Sequence, residues 1–127
     1  MPSNLNKVLL VDDDQDIGQV LKRGLEHHGF AIDVYNDPEK AIQEYKPEKY
    51  DFHLLDIRMP RMNGFDLAHQ IWRHDYKARV CFLTSFEIFE DEARKVFKDF
   101  NMTCFIKKPI STIALVNHLK AHLKVIQ

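Results

Sequence analysis

Four apolar stretches of the chain each end in residues able to handle a charged oxyanion. Lys7-Val-Leu-Leu-Val11 runs into Asp12, Asp13 and Asp14, and Tyr50-Asp-Phe-His-Leu-Leu55 stops at Asp56. Arg79-Val-Cys-Phe-Leu83 stops at Thr84, and Thr103-Cys-Phe-Ile106 stops at Lys107, Lys108 and Pro109. If these ends converge, three carboxylates, a hydroxyl and an amine share one crevice. Like charges about 4 Å apart repel by roughly 1 kcal/mol in water and roughly 4 kcal/mol at an effective dielectric of 20, so such a cluster calls for a cation. An all-oxygen donor set with room for water suits Mg²⁺, with Mn²⁺ as a substitute, and not zinc. With a metal and a lysine to neutralise phosphoryl oxygens, a central carboxylate can attack phosphorus and become an aspartyl phosphate. Asp56 would be that nucleophile. Thr84 would hydrogen-bond one phosphoryl oxygen, Lys108 would pair with another, and the metal would link the third to Asp13 and Asp56. No histidine or further carboxylate is placed as an obvious base for hydrolysis, so the product would last long enough to serve as a signal.

The elements that must position these residues follow from hydrophobic periodicity. The stretches themselves read as strands buried on both faces. Ala31-Ile-Asp-Val-Tyr35, of mixed polarity, reads as an additional edge strand. Between them lie helical patterns. Ile17, Val20, Leu21, Gly24 and Leu25 mark a first helix, with Asp14 or Asp16 as cap and Gly29 as stop. Asp37-Pro38 opens a second through Ala41, Ile42 and Tyr45 that ends before Pro47. Phe65, Ala68, Ile71 and Trp72 mark a third, Phe86, Phe89, Ala93, Val96 and Phe97 a fourth, and Val116, Leu119, Leu123 and Ile126 a fifth. Strict alternation of strand and helix predicts an α/β fold: a flavodoxin-like, doubly wound, five-stranded parallel sheet of order 2-1-3-4-5 with five helices. In such sheets ligands bind beyond the carboxyl ends of the strands, where the four chemical stretches terminate.

Composition bounds the rest. With 127 residues, 45% of them hydrophobic, the chain makes one domain over 1–127 with a core of its own, and disorder is excluded. Its formal net charge of −1 argues against direct nucleic-acid binding through phosphate contacts. Lys107, Lys108, Lys120 and Lys124 lie in an acid-free stretch over 101–127, which reads as a solvated helix face. No apolar run approaches membrane-spanning length and the N-terminus lacks an apolar signal region, so a cytoplasmic setting with no membrane partner is expected. The two cysteines, Cys81 and Cys104, lack metal-ligand spacing and are expected as buried thiols.

The segments Leu9-Leu-Val-Asp-Asp-Asp14, Leu54-Leu-Asp-Ile-Arg-Met-Pro-Arg-Met-Asn-Gly64, Leu83-Thr-Ser85 and Phe105-Ile-Lys-Lys-Pro109 occur in order, each closing an expected strand. In them the chain resembles the receiver domain of two-component response regulators over essentially its whole length. The resemblance implies Asp56 as phosphoacceptor, Asp13 as a direct metal ligand, Asp12 as a ligand mainly through water, and the carbonyl of Arg58 as the remaining protein ligand. It implies Lys108 as the phosphate-binding lysine ahead of a cis bond to Pro109, and Thr84 with Phe105 as a switch pair that repacks on phosphorylation. It also implies a sensor histidine kinase or phosphotransfer protein as donor, and a downstream effector protein or an output domain as target, with the chain a monomer or weak dimer. Turnover catalysis is not expected beyond Mg²⁺-dependent self-phosphorylation and autodephosphorylation. Asn101-Met-Thr-Cys104 stands where the family often has Gly followed by small and acidic residues, so the charged dimer pairings of DNA-binding members are not carried over.

Taken singly, each signal has a plainer reading. The Asp12–Asp14 run could simply cap a helix, Thr84 could satisfy a strand end, and Phe105 could be core. His118 and His122, four apart, read as a solvated face, and His27-His28 as partners of a helix dipole. Two rival chemistries meet specific obstacles. A phosphatase of the haloacid dehalogenase kind needs an acid/base carboxylate two residues past its nucleophile, where this chain has Arg58. A flavin binder needs a phosphate loop after the first strand, where the Asp12–Asp14 run would repel phosphate. A non-phosphorylated interaction module would keep the fold without the chemistry.

Overall fold

The computed structural model describes residues 6–84, 95 and 102–124. Five strands, β1 (Lys7–Val11), β2 (Ala31–Tyr35), β3 (Phe52–Asp56), β4 (Val80–Thr84) and β5 (Met102–Lys107), pair in parallel in the order β2-β1-β3-β4-β5. The expected doubly wound topology is therefore the one observed. Four helices are described: α1 (Gln15–His27), α2 (Pro38–Gln43), α3 (Gly64–His74) and α4 (Thr112–Lys124), the last being the fifth helical pattern of the sequence. The fourth pattern, Phe86 to Phe97, lies outside the described residues apart from Lys95.

Period-2 alternation along the buried strands sends successive side chains to opposite faces. Val8, Leu10, Phe52, Leu54, Cys81, Leu83 and Ile106 form one core layer with Leu21 and Leu25 of α1 and Leu115, Val116 and Leu119 of α4. Leu9, Val11, Leu55, Val80 and Phe82 form the other with Ala41 of α2 and Leu67, Ala68, Ile71 and Trp72 of α3. β1, β3 and β4 are thus covered on both sides, which is why they read as continuous apolar runs.

Local chemistry sets the helix starts. The Asp14 carboxylate accepts from the amides of Asp16 and Ile17, the Asp37 side chain caps α2 ahead of Pro38, and the Asn63 side chain accepts from Asp66 N–H. Gly29 follows α1 with a φ of 89°, the left-handed conformation that glycine adopts without a Cβ penalty. α2 stops at Gln43, short of the expected Tyr45, whose hydroxyl is engaged elsewhere. Val20, expected on the buried face of α1, is instead 62% exposed. Among the described residues no helix is long and apolar enough to cross a membrane.

The cysteine expectation is corrected. Cys81 is fully buried and disulfide-bonded, and no free cysteine is found among the described residues. A register irregularity between Val80 and Cys81 sets it opposite Cys104, the chain's other cysteine, across the β4–β5 ladder. Ladder register is a tertiary property, so the spacing of the two residues along the chain did not reveal it.

Gly64 opens α3 pressed against the end of β3, its amide donating to the Ile57 carbonyl at 2.8 Å. A Cβ on it would overlap the Asp56 carbonyl oxygen and crowd Ile57 Cα, both of them backbone that cannot rotate away. Gly64→Ala is expected to destabilise the protein by roughly 1–3 kcal/mol, read as a lower urea midpoint at unchanged slope.

Candidate metal and phosphoacceptor centre

The carboxyl ends of four strands build the centre. Asp12 and Asp13 follow β1 directly, Asp56 is the last residue of β3, Thr84 is the last of β4, and Lys108 follows β5. Parallel pairing brings all these ends to one edge of the sheet, with Asp56 registered against Leu83 in β4 and Thr84 against Lys107 in β5. Asp12, Asp13, Asp56, Arg58, Thr84 and Lys108, together with Asp14 and Ile17, line one cavity of about 210 Å³. The centre expected from the sequence is therefore assembled in one place.

Carboxylate oxygens of Asp12, Asp13 and Asp56 all lie within 4.8 Å of one another. Asp12 is fully buried and Asp56 nearly so, whereas Asp13 is exposed. Lys108 Nζ reaches Asp12 Oδ2 at 3.0 Å and Asp56 Oδ1 at 3.3 Å, while Asp12 Oδ1 accepts from the Asp14 amide at 2.9 Å. One ammonium thus faces two buried carboxylates with a third beside them. Burial, and after it the Asp12 charge, raises the Asp56 carboxyl to about 6 despite the opposing pull of Lys108. Burial works against the Lys108 charge too, but its hydrogen bond to Asp12 and the two carboxylate charges outweigh it and raise the amine. Three hard oxygen donors with an excess of negative charge are a donor set that fits a divalent cation.

Around this centre the backbone is closed tightly. Lys108 N–H donates to the Thr84 carbonyl at 2.7 Å, joining the ends of β4 and β5, and the Lys108–Pro109 bond is cis as expected. Across the β3–α3 loop, Arg61, in the left-handed region with a φ of 68°, pairs with Asp37 at 3.5 Å and Glu39 at 2.8 Å of α2 and its cap. Arg58 lines the cavity with its side chain exposed.

Phe105 is not part of the cavity. It sits half-buried one strand away, its ring tilted against Phe82 with centroids 5.5 Å apart. A feature missed in the sequence lies beside the centre: an apolar groove of about 550 Å³ lined by Ile17, Val20, Leu21, Pro109 and Ile110, with Lys108 and Asp16. Its signal was available in Val20, which lies one helical turn from both Asp16 and Ile17, but periodicity alone assigns such a residue to the core.

The raised Asp56 carboxyl has a definite linkage sign. Its folded value lies above the unfolded one, so in the metal-free protein its contribution to stability is complete below about pH 4 and is lost as pH rises through about 6. Asp56→Asn is accordingly expected to stabilise the metal-free protein at pH 7 by roughly 1–3 kcal/mol, seen in urea unfolding, and to add little at pH 4. Mg²⁺ is expected to raise the thermal midpoint of the unsubstituted protein more at pH 7.5 than at pH 5.

Comparison with known proteins agrees with this geometry. Residues 8–120 match the family model of the response regulator receiver domain. The transcriptional regulatory protein RprY of Bacteroides fragilis is 30% identical over 120 residues, covering 93% of this chain and 49% of that protein. CpxR of Escherichia coli, also a transcriptional regulatory protein, is 32% identical over 120 residues, covering 94% of this chain and 50% of its own length. The chain thus spans about half the length of these curated relatives. Among solved structures, the non-phosphorylated HemR receiver domain of Leptospira biflexa superposes with a TM-score of 0.81 at 30% identity, over 91% of this chain and 92% of that one. A two-component response regulator from Clostridium difficile gives 0.83 at 25% identity, over 96% and 98%. The fold order, the acidic strand ends and the family match agree: this chain belongs to the response regulator receiver domains, the signalling domains of two-component systems.

Proposed function

We propose that residues 1–127 act as one receiver domain that accepts a phosphoryl group on Asp56 from the phosphohistidine of a sensor kinase or phosphotransfer protein. The observation that carries this reading is the meeting of Asp12, Asp13 and Asp56 oxygens within 4.8 Å, with the Lys108 amine 3.3 Å from the acceptor. Asp13 and Asp56, the carbonyl of Arg58 and, through water, Asp12 would hold Mg²⁺. Bound there, the cation would neutralise charge on the transferred phosphoryl oxygens and favour the ionised form of Asp56.

The chain's own residues supply the rest. An Asp56 carboxylate oxygen attacks phosphorus in line with the departing imidazole nitrogen. The O–P bond forms, the P–N bond breaks, and the nitrogen keeps the electron pair, so that a ring protonated at its other nitrogen leaves as neutral imidazole. The Lys108 amine, held at the acceptor before the reaction, shifts from the carboxylates to a phosphoryl oxygen. The Thr84 hydroxyl hydrogen-bonds another. A Thr84 drawn toward the phosphate vacates space at the end of β4, and Phe105 turns into it, shifting the population between two packings of the surface near β5. A downstream effector protein, or an output domain, reads that surface. The setting is cytoplasmic, the chain acts as a monomer or weak dimer, and its output does not require direct nucleic-acid contact by these residues.

The groove beside Lys108 supports a docking role. It is apolar, it adjoins the acceptor cavity through Lys108 and Ile17, and it includes the exposed Val20. A helix presenting a phosphohistidine would rest on it and deliver phosphorus to Asp56.

Acetyl phosphate with Mg²⁺ is expected to add about 80 Da to the intact protein, and Asp56→Asn to abolish the adduct. Lys108→Met is expected to slow the labelling by at least about tenfold. Val20→Asp is expected to slow transfer from a phosphohistidine-bearing protein more than it slows labelling by acetyl phosphate. A phosphoryl adduct that persists in Asp56→Asn would overturn the assignment.

A further inference from the structure

The sheet carries a covalent bond that no step at the acceptor uses. Cys81 of β4 is fully buried and disulfide-bonded, and the chain has one other cysteine, Cys104 of β5, so within a single chain the bond closes on Cys104. The two residues stand opposite each other in the β4–β5 ladder, and that pairing depends on an irregularity. Val80 faces Met102, whereas the next residue, Cys81, faces Cys104, which leaves Thr103 as an extra residue of β5. In an even ladder Thr103 would face Cys81, because a slip of one residue exchanges every facing pair.

The place of the bond decides what it holds. β5 is an edge strand of the sheet and pairs with β4. It carries Phe105, next to Cys104, and leads into Lys108, whose amine lies 3.0 Å from Asp12 and 3.3 Å from Asp56. The chain between the two cysteines contains the whole fourth helical pattern of the sequence, Phe86 to Phe97. The bond therefore closes that segment into a covalent ring and pins the edge strand near its start, while the Lys108 amide fastens its far end to the Thr84 carbonyl at 2.7 Å. A cross-link of this kind acts mainly by restricting the opened states of the chain, so breaking it releases the ring and the strand while leaving the ladder's own hydrogen bonds in place.

Both redox forms suit the same core. Cys81 belongs to the layer made with Leu54, Leu83, Leu115 and Leu119, where a thiol packs as a small apolar side chain. Reduction thus keeps the fold and changes how firmly β5 is held. In the cytoplasmic setting proposed for this domain thiols are kept reduced, and disulfides found there are characteristically transient and redox-sensing rather than permanent staples. We propose that Cys81 and Cys104 form a thiol–disulfide switch on β5, which clamps the strand bearing Phe105 and leading to Lys108 when oxidised and lets that strand open when reduced.

The reductant is a dithiol, which reaches the buried bond as β5 opens from the edge of the sheet. One of its thiolates attacks a cysteine sulfur, the S–S bond breaks and a mixed disulfide forms. The second thiolate then displaces the cysteine from it. The dithiol leaves as a disulfide, two electrons pass to the cysteine pair, and each cysteine sulfur takes up a proton. Any effect of the switch on phosphorylation rests on the acceptor role proposed for Asp56, whereas the clamp on β5 does not.

The test compares the full chain, purified without reductant, before and after dithiothreitol, by intact mass, thiol alkylation and amide hydrogen exchange under native conditions. Expected on reduction are a gain of about 2 Da and two thiols that alkylate once the protein is unfolded. Exchange at the Phe105 and Ile106 amides is expected to quicken by about tenfold or more, with Leu9 and Leu54 in β1 and β3 little changed. Cys104→Ala should show the faster exchange without reductant, and reoxidation of the unsubstituted protein with glutathione disulfide should restore the slower one. Two free thiols before reduction, a bond that dithiothreitol leaves intact in the folded protein, or equal β5 exchange in the two forms would each overturn the proposal. Labelling by acetyl phosphate is run on both forms. Its absence from both would overturn the acceptor role of Asp56, while the exchange data would still decide the clamp.

Discussion

Three carboxylates held within 4.8 Å of one another against one ammonium are the constraint to which the rest of the structure answers. At an effective dielectric of 20 each close pair of like charges costs a few kcal/mol, a large share of the 5–15 kcal/mol that keeps a typical domain folded. An unassisted loop would relax and separate them. Here two of the three are fixed at the ends of neighbouring strands buried on both faces, so separating them means breaking the β1–β3 ladder. The lysine is fixed too, by the bond from its amide to the Thr84 carbonyl. A buried pair such as Asp12 with Lys108 adds little net stability, because desolvation of both ions offsets their attraction. Under the proposed function its presence is poise: charge held ready for an incoming cation and phosphoryl group.

The same sheet separates reactivity from support. Its carboxyl ends carry the crowded anions and the cavity, while the opposite end of β3 carries His53 with hydrogen-bond partners on each nitrogen. Strand residues of opposite role lie only three positions apart on this five-residue strand. The loop after β3 is restrained at two points. Gly64 lets α3 begin against the Asp56 backbone, and Arg61 ties the loop to the start of α2 through Asp37 and Glu39. The phosphoacceptor role proposed for this site calls for this combination of rigid framing and an open mouth.

Much of this was legible before any coordinates. Alternating apolar strands and amphipathic helices determine a doubly wound sheet because a strand buried on both faces and a one-sided helix have few other ways to pack. Given parallel strands, the polar residue ending each apolar run must reach the same edge, which is how Asp12, Asp13, Asp56, Thr84 and Lys108 could be grouped. Misread features share a cause. Val20 sits at core spacing yet is exposed, Tyr45 has the spacing of α2 yet lies beyond it and meets His53, and Cys81 has the setting of a buried thiol yet is bonded beside Cys104.

By itself, then, the sequence determined the fold class, the end of the sheet that holds the chemistry, and the residue types present there, since periodicity and strand termini are local properties. Only the tertiary structure decided which carboxylates approach within ligand distance, which face of α1 stays open beside Lys108, which cysteine lies opposite which, and that a tyrosine hydroxyl closes on a buried histidine. Those are matters of register and of side-chain convergence between segments far apart in the chain. The energies that select them arise once the layers are packed.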